Sequence, residues 1–70
     1  MKKLTRQEAM ETVDKAGHLL ERHTEYRFGQ ALWNCLPIEI QSDLTCTEYD
    51  FYYEESTSKA LEKFAEGCCE

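Results

Sequence analysis

The chain has 70 residues, of which 31% are charged and 41% are hydrophobic, and its net charge is −6. This composition is typical of a single small globular domain over residues 1–70 rather than of a disordered tail. The negative charge argues against direct binding to nucleic acid or to an anionic membrane, because both of these ligands need a basic protein face.

The negative charge is concentrated in the middle of the chain. Residues 1–27 carry a net charge of +1, and residues 59–70 carry a net charge of −1. Residues 28–58 contain six acidic residues and neither lysine nor arginine. We therefore expect an acidic region that its neighbours in sequence do not neutralise.

The first residues predict a cytoplasmic location. Met1-Lys2-Lys3-Leu4 leads into polar sequence and not into the apolar segment of a signal peptide or a membrane span. In a reducing cytoplasm the four cysteines are expected to be thiols.

The first predicted element is an amphipathic helix over residues 6–22. Thr5 and Glu8 have the spacing of a capping box, and apolar residues follow them at the helical period. Gly17 falls on the predicted buried face of this helix. We therefore expect another helix to cross closely at that position.

The second predicted helix covers residues 25–36, with Thr24 as its N-cap, and the rest of the chain is organised around it. Gly29 is unfavourable inside a helix, so we predict that another backbone approaches it closely. Pro37 ends the helix, and the short turn before the helix predicts an antiparallel hairpin. Its apolar face has the spacing i, i+3, i+4, i+7 and consists of Phe28, Ala31, Leu32 and Cys35.

Residues 37–56 predict a connection that contains a short helix or turn near residues 47–53. Four aromatic side chains in this stretch are expected to cover the open side of the hairpin: Tyr49, Phe51, Tyr52 and Tyr53. The last helix is predicted over residues 57–66, with Gly67 as the C′ residue that follows it.

These elements predict an all-α fold, a small domain of three main helices or of four if the short connecting helix forms. The apolar stripes of the three main helices predict one buried cluster, which consists of Val13, Leu20, Phe28, Leu32, Leu61 and Phe64.

The histidines and cysteines predict neither a metal site nor a catalytic site. His18 and His23 are five residues apart, about 140° around a helix, whereas two ligands on one helix face need a spacing of four. The cysteines contain no C-x-x-C pair. We expect Cys35 and Cys46 to be small core residues, and the adjacent thiols of Cys68 and Cys69 to be exposed by fraying. The chain is therefore not expected to be an enzyme or to hold a cofactor.

The stretch from Glu48 to Glu55 is the strongest candidate for a binding surface. Tyrosine is enriched at binding hot spots, and the acidic neighbours would favour a basic partner. The alternative is that Phe51 and one or two tyrosines belong to the core and that the acids are a solvated face. Arg27 is expected to form a salt bridge with Asp50 or Glu54. The predicted partner-binding residues are Glu48, Asp50, Tyr52, Tyr53, Glu54 and Glu55.

Parts of the sequence resemble short uncharacterised proteins of bacteriophages and prophages. The similarity lies in residues 27–34, which read RFGQALWN like the R-x-G-Q-A-L-x-N helix of those proteins. It continues in the acidic Phe-Tyr segment at residues 50–55 and in residues 59–61. The resemblance implies a small helical cytoplasmic protein of phage origin, and it implies no activity, cofactor or catalytic residue.

We therefore expect a small acidic protein-binding module or inhibitor. Its expected partner is a basic host protein that handles nucleic acid, which an acidic phage protein would block by DNA mimicry. The first alternative is a structural protein that forms a homodimer through an edge made by Trp33 and Leu36. The second alternative is a small enzyme or metal protein that uses the histidines and cysteines.

Overall fold

The computed structural model describes residues 3–70, and four α-helices account for most of them. The helices are α1 (Arg6–Arg22), α2 (Phe28–Asn34), α3 (Ile38–Leu44) and α4 (Thr57–Cys68). The predicted all-α fold is confirmed, with the three main helices and a fourth, connecting helix. The only extended pairing in the described part of the chain is one isolated parallel bridge between Leu4 and Cys69.

Helix α1 has the predicted bounds because its start is encoded locally. The Glu8 amide donates to Thr5 Oγ1 at 3.2 Å, and the Thr5 amide donates to Glu8 Oε1 at 3.0 Å. This reciprocal pair satisfies two amides that would otherwise lack a partner at the helix start. Further along, Thr12 and Ala16 are buried, and the Thr12 hydroxyl donates to the Glu8 carbonyl at 2.8 Å.

The prediction of a close crossing at Gly17 is wrong for the monomer. Gly17 is exposed, and a methyl group added there would meet no atom within 4 Å. The buried face of α1 is centred on Thr12 and Ala16. By the 100° step of a helix, Gly17 lies to one side of that face.

Helix α2 is shorter at both ends than the predicted range of 25–36. Residues 23–26 form a turn in which the Tyr26 amide donates to the His23 carbonyl at 3.1 Å, and the rings of Tyr26 and His23 stack at 4.9 Å. This turn leaves Arg27, and not Thr24, at the N-cap position. At the other end Pro37 occupies the N-cap position of α3.

The predicted close approach at Gly29 is confirmed. A Cβ atom at this position would lie 2.6 Å from the carbonyl oxygen of Phe51 and 3.1 Å from that of Glu54. The chain between α3 and α4 therefore crosses directly over α2. Only glycine leaves room for the two backbones to approach this closely.

Of the short helix or turn predicted near residues 47–53, the turn is present, since the Asp50 amide donates to the Thr47 carbonyl at 3.2 Å and the Glu54 amide to the Phe51 carbonyl at 3.1 Å. The additional helix, α3, forms earlier, over Ile38–Leu44. Ile40 and Leu44, one helical turn apart, are both completely buried. Gln41 lies between them and donates to the carbonyls of Trp33 and Leu36, at 3.0 Å in each case. The Gln41 side chain thus ties α3 to a carbonyl at the end of α2 and to the carbonyl of the residue that precedes Pro37.

The core is centred on Phe51, which is completely buried. Its ring meets Trp33 edge to face at 5.1 Å and Phe64 at 6.2 Å. Trp33 and Leu36 are also buried, so the edge predicted for a homodimer is occupied by the chain's own core. That route to self-association is therefore closed in the folded monomer.

The predicted core cluster is correct in part. Leu32 and Phe64 are buried, whereas Val13, Leu20 and Phe28 are half-buried at the edge of the core. Leu61 lies outside the buried cluster, contrary to prediction, because its side chain is 37% exposed. Helix α4 instead turns Ala60, Phe64 and Cys68 inward, at intervals of four residues.

The end of α4 is ordered rather than frayed, contrary to prediction. The Leu4 amide donates to the Cys68 carbonyl at 2.7 Å, and the Glu70 amide donates to the Leu4 carbonyl at 2.9 Å. These bonds extend the helix past the predicted residue 66 and bury Cys68, with Cys69 half-buried.

Gly67 lies inside the helix and not at C′, and it packs against the ring of Tyr49. Cys46 is exposed and Cys35 half-buried, so only Cys35 contributes to the core as expected.

Two glycine substitutions in helices should have opposite effects on stability. Gly29→Ala places a methyl group against two backbone carbonyls, which should destabilise the fold by about 1–3 kcal/mol. Gly17→Ala places the same group in open space and should stabilise the fold by about 0.5–1 kcal/mol through helix propensity. Urea denaturation of both variants against the parent measures the difference. Equal effects at the two positions would show that the crossing over Gly29 is absent.

A leucine pair checks the assignment of the core. Leu32→Ala should cost about 2–5 kcal/mol, because Leu32 is fully buried and its loss leaves a cavity. Leu61→Ala is the matched control, and it should change the free energy of unfolding by less than about 1 kcal/mol since Leu61 is exposed. Thermal melts followed by circular dichroism distinguish the two. A Leu32→Ala protein that melts with the parent would contradict this core.

Candidate functional site

The acidic-aromatic segment, defined as residues 48–55, is an irregular connection held in place by the residue at its centre. Phe51 inserts its ring between Trp33 and Phe64, and its carbonyl lies over Gly29. The remaining side chains of the segment project from this fixed point. The alternative prediction for Phe51, that it belongs to the core, is therefore correct.

Asp50 is a structural residue of the segment. Its Oδ2 accepts from the Cys46 amide at 3.2 Å, and its Oδ1 accepts from the Tyr52 amide at 3.2 Å. One carboxylate thus joins two successive turns, of which the first contains Cys46 in a left-handed conformation with φ of 65°. Both oxygens of Asp50 are used inside the fold.

Tyr52 and Tyr53 have different environments although they are adjacent. Tyr52 is half-buried, and its hydroxyl accepts from Gln30 Nε2 of α2 at 3.3 Å. Tyr53 is 79% exposed, and its ring contacts Tyr52 edge to face with centroids 4.7 Å apart. Tyr53 is the most exposed large hydrophobic side chain in the described part of the chain.

Glu54 is also committed within the fold. Its Oε1 accepts from the Ser56 amide at 3.2 Å, next to the start of α4, and its Oε2 accepts from Lys63 Nζ at 3.2 Å. The Ser56 hydrogen bond, with a further contribution from Lys63, lowers the pKa of the Glu54 carboxyl below its ordinary value of 4.5. Glu54 therefore stays ionised and tied to α4.

Glu55, and neither Asp50 nor Glu54, is the partner of Arg27. The Arg27 guanidinium lies 3.5 Å from Glu55 Oε1, and the Glu55 side chain is 79% exposed. Such an exposed pair contributes little to stability. The prediction that Arg27 forms an intramolecular salt bridge is confirmed, but the predicted partners, Asp50 and Glu54, are wrong.

Glu48 lies at the rim of a shallow cleft between the segment and α4. The cleft has a volume of about 300 Å³ and is lined by Glu48, Tyr49, Lys59, Glu62, Lys63 and Glu66. Lysines and glutamates alternate on its α4 side, so the cleft has a mixed charge. The acidic region is therefore partly neutralised, by lysines that lie outside residues 28–58.

The histidines and cysteines have environments that differ from those of metal ligands and activated thiols. Among residues 3–70, no three side chains of histidine, cysteine, aspartate or glutamate approach closely enough to hold a metal ion. Burial, reinforced by the adjacent Cys69, raises the pKa of the Cys68 thiol to about 12, and burial also raises that of Cys35. Protonated thiols are poor nucleophiles, which disfavours a catalytic role for these two cysteines.

Comparison of the chain with protein-family models, with curated proteins and with solved structures finds no match. Within the described part of the chain, none of the helices has both the length and the apolar character that crossing a bilayer requires.

The environment of Glu54 predicts a pH dependence of stability. Because folding lowers its pKa, the stabilisation is present above pH 4.5 and is lost as the pH falls through the lowered value. Glu54→Gln should therefore destabilise the fold at pH 7, and the difference from the parent should narrow as the pH falls below 4.5 and through the lowered pKa. Denaturant melts across this range measure the difference, with Glu62→Gln on exposed α4 surface as the control. A difference that does not change with pH would contradict the assigned role of Glu54.

Proposed function

We propose that the chain is a non-enzymatic protein-binding module whose contact surface is centred on Tyr53. The observation that supports this most directly is the 79% exposure of a tyrosine whose two neighbours, Tyr52 and Glu54, are hydrogen-bonded within the fold. Exposed tyrosines of this kind bury a large area at a small cost in side-chain entropy, which suits them to be binding anchors.

The surroundings of Tyr53 hold its backbone in one position. Asp50 joins the turns before it, Phe51 anchors the segment in the core, and Tyr52 is hydrogen-bonded to Gln30. Glu54, which follows Tyr53, accepts hydrogen bonds from the Ser56 amide and from Lys63. A preorganised anchor loses less conformational entropy when it binds, so more of the contact energy appears as affinity.

The exposed acidic residues of the acidic-aromatic segment favour a basic partner. Glu48 and Glu55 are exposed, and the Arg27–Glu55 pair at 3.5 Å is weak enough for a partner's cation to replace Arg27. Carboxylates at the rim of a contact speed the encounter with a basic surface. The proposal therefore assigns binding to Glu48, Tyr53 and Glu55, and a supporting role to Asp50, Tyr52 and Glu54.

A basic protein that handles nucleic acid is the class of partner that this surface fits best. Such proteins present lysine and arginine to phosphates, and an acidic surface with an aromatic anchor can compete for the same side chains. The resemblance to phage proteins supports an inhibitory role in the cytoplasm of a host cell. The proposal involves neither a cofactor nor direct contact with nucleic acid or membrane.

Surface plasmon resonance with a partner captured from host lysate tests this proposal. Tyr53→Ala should speed dissociation by about tenfold or more, as expected for a hot spot, while Tyr53→Phe should retain most of the affinity. Glu55→Lys should slow association and weaken its salt dependence. Glu11→Lys makes the same charge change on exposed α1 and serves as the control. A partner that binds the parent and Tyr53→Ala equally well would contradict the proposed surface.

A further inference from the structure

Helix α1 has an exposed stripe that the acidic-aromatic segment does not involve. Arg6, Met10, Gly17 and Glu21 fall within about 60° of one another around the helix, at 100° per residue. Met10 is 62% exposed. It lines a groove of about 410 Å³ together with Ala9, Val13 and Asp14. The stripe therefore combines an exposed apolar side chain with a shallow depression beside it.

Gly17 has no role inside the monomer. A glycine in a helix is less stable than an alanine, and at Gly29 the close backbone approach explains this choice. At Gly17 nothing lies within 4 Å of the place where a side chain would begin. A gap in the side-chain layer of an exposed helix is useful when a second helix approaches it from outside.

The stripe is complementary to itself when it is reversed. Arg6 and Glu21 are equally far along the chain from the midpoint between Val13 and Asp14, and so are Met10 and Gly17. An antiparallel copy would therefore place Arg6 opposite Glu21 and Met10 opposite Gly17, at both ends of the contact. A parallel copy would place Arg6 beside Arg6.

We propose that α1 pairs with α1 of a second copy of this chain in an antiparallel, two-fold symmetric contact. Each Met10 fills the space above the partner's Gly17, and each Arg6 pairs with the partner's Glu21. Asp14 and Glu21 lie 3.6 and 3.8 Å from His18, and these exposed contacts leave both carboxylates accessible. A two-fold contact of this kind closes on itself and limits association to a dimer.

The contact is small, so the dimer is weak. From Arg6 to Glu21 the helix extends about 22 Å. One helix from each copy buries less than the roughly 1,200 Å² of a standard interface. Dimerisation should therefore depend on concentration, with the monomer as the main species when dilute. The proposal does not rest on the function proposed for Tyr53, since the two surfaces share no residue.

Sedimentation equilibrium of the full chain tests the contact, from about 10 μM to about 1 mM. A reducing agent is required because Cys46 is exposed. Met10→Lys and Gly17→Gln should each raise the dissociation constant of the dimer by about tenfold or more. Gly17→Gln retains the helix, because glutamine is a better helix former than glycine and has open space there. Lys15→Glu, on another side of α1, is the control and should leave the dimer unchanged.

A charge exchange tests the antiparallel geometry. Arg6→Glu and Glu21→Arg should each abolish the dimer, because each variant places like charges at both ends of the contact. An equimolar mixture of the two should form a heterodimer, because opposite charges then meet at both ends. Each substitution also suits the helix dipole at its own end of α1, so the monomers should remain folded.

Four outcomes would overturn the proposal. The first is a parent chain that stays monomeric at the highest concentration. The second is a dimer that is indifferent to Met10→Lys and Gly17→Gln. The third is a mixture of the two charge variants that stays monomeric. Tyr53→Ala should leave the dimer intact. The fourth outcome is loss of the dimer in this variant, which would assign self-association to the acidic-aromatic segment instead of α1.

Discussion

The fold depends on the contact between the backbone of residues 51–54 and the surface of α2 at Gly29. The carbonyl of Phe51 lies where any side chain at residue 29 would begin, and the Phe51 ring then reaches between Trp33 and Phe64. A chain this short can bury few large side chains. One aromatic residue inserted from a loop therefore joins α2 to α4 and gives the domain its centre.

This contact also determines what the acidic-aromatic segment can present to a partner. Because residues 51–54 lie against α2, the polar groups on either side must be satisfied locally, and Asp50 and Glu54 accept amide hydrogen bonds there. Asp50 and Glu54 are therefore hydrogen-bonded within the fold, whereas the exposed acidic residues, Glu48 and Glu55, lie further from Phe51 along the chain. Charge density in sequence is therefore a poor measure of charge available on the surface.

The sequence predicts those parts of the fold whose causes are local. The capping box at Thr5 and Glu8 and the long amphipathic period determine α1. The cost of a glycine inside a helix correctly indicates the crossing at Gly29, but the same argument fails at Gly17, where no atom lies near. Helix α3 was not predicted because only two of its residues, Ile40 and Leu44, are buried. Its remaining contact, the Gln41 hydrogen bonds to the carbonyls of Trp33 and Leu36, is not visible in a local pattern. Tyr52 and Tyr53 differ in exposure because the Tyr52 hydroxyl is hydrogen-bonded to Gln30, which lies 22 residues earlier in the chain. A pattern of neighbouring residues does not reveal so distant a contact.

The bridge between Leu4 and Cys69 has a consequence for how the domain folds. Most helical contacts are local and form fast, but this bridge closes a loop of nearly the whole described chain. Closing so long a loop has a large entropic cost, which is offset only after the intervening helices have shortened the path. The first turn of α1 and the last turn of α4 should therefore become ordered together and late. They should also be the first region to open when the native state fluctuates, although they lie at a buried junction.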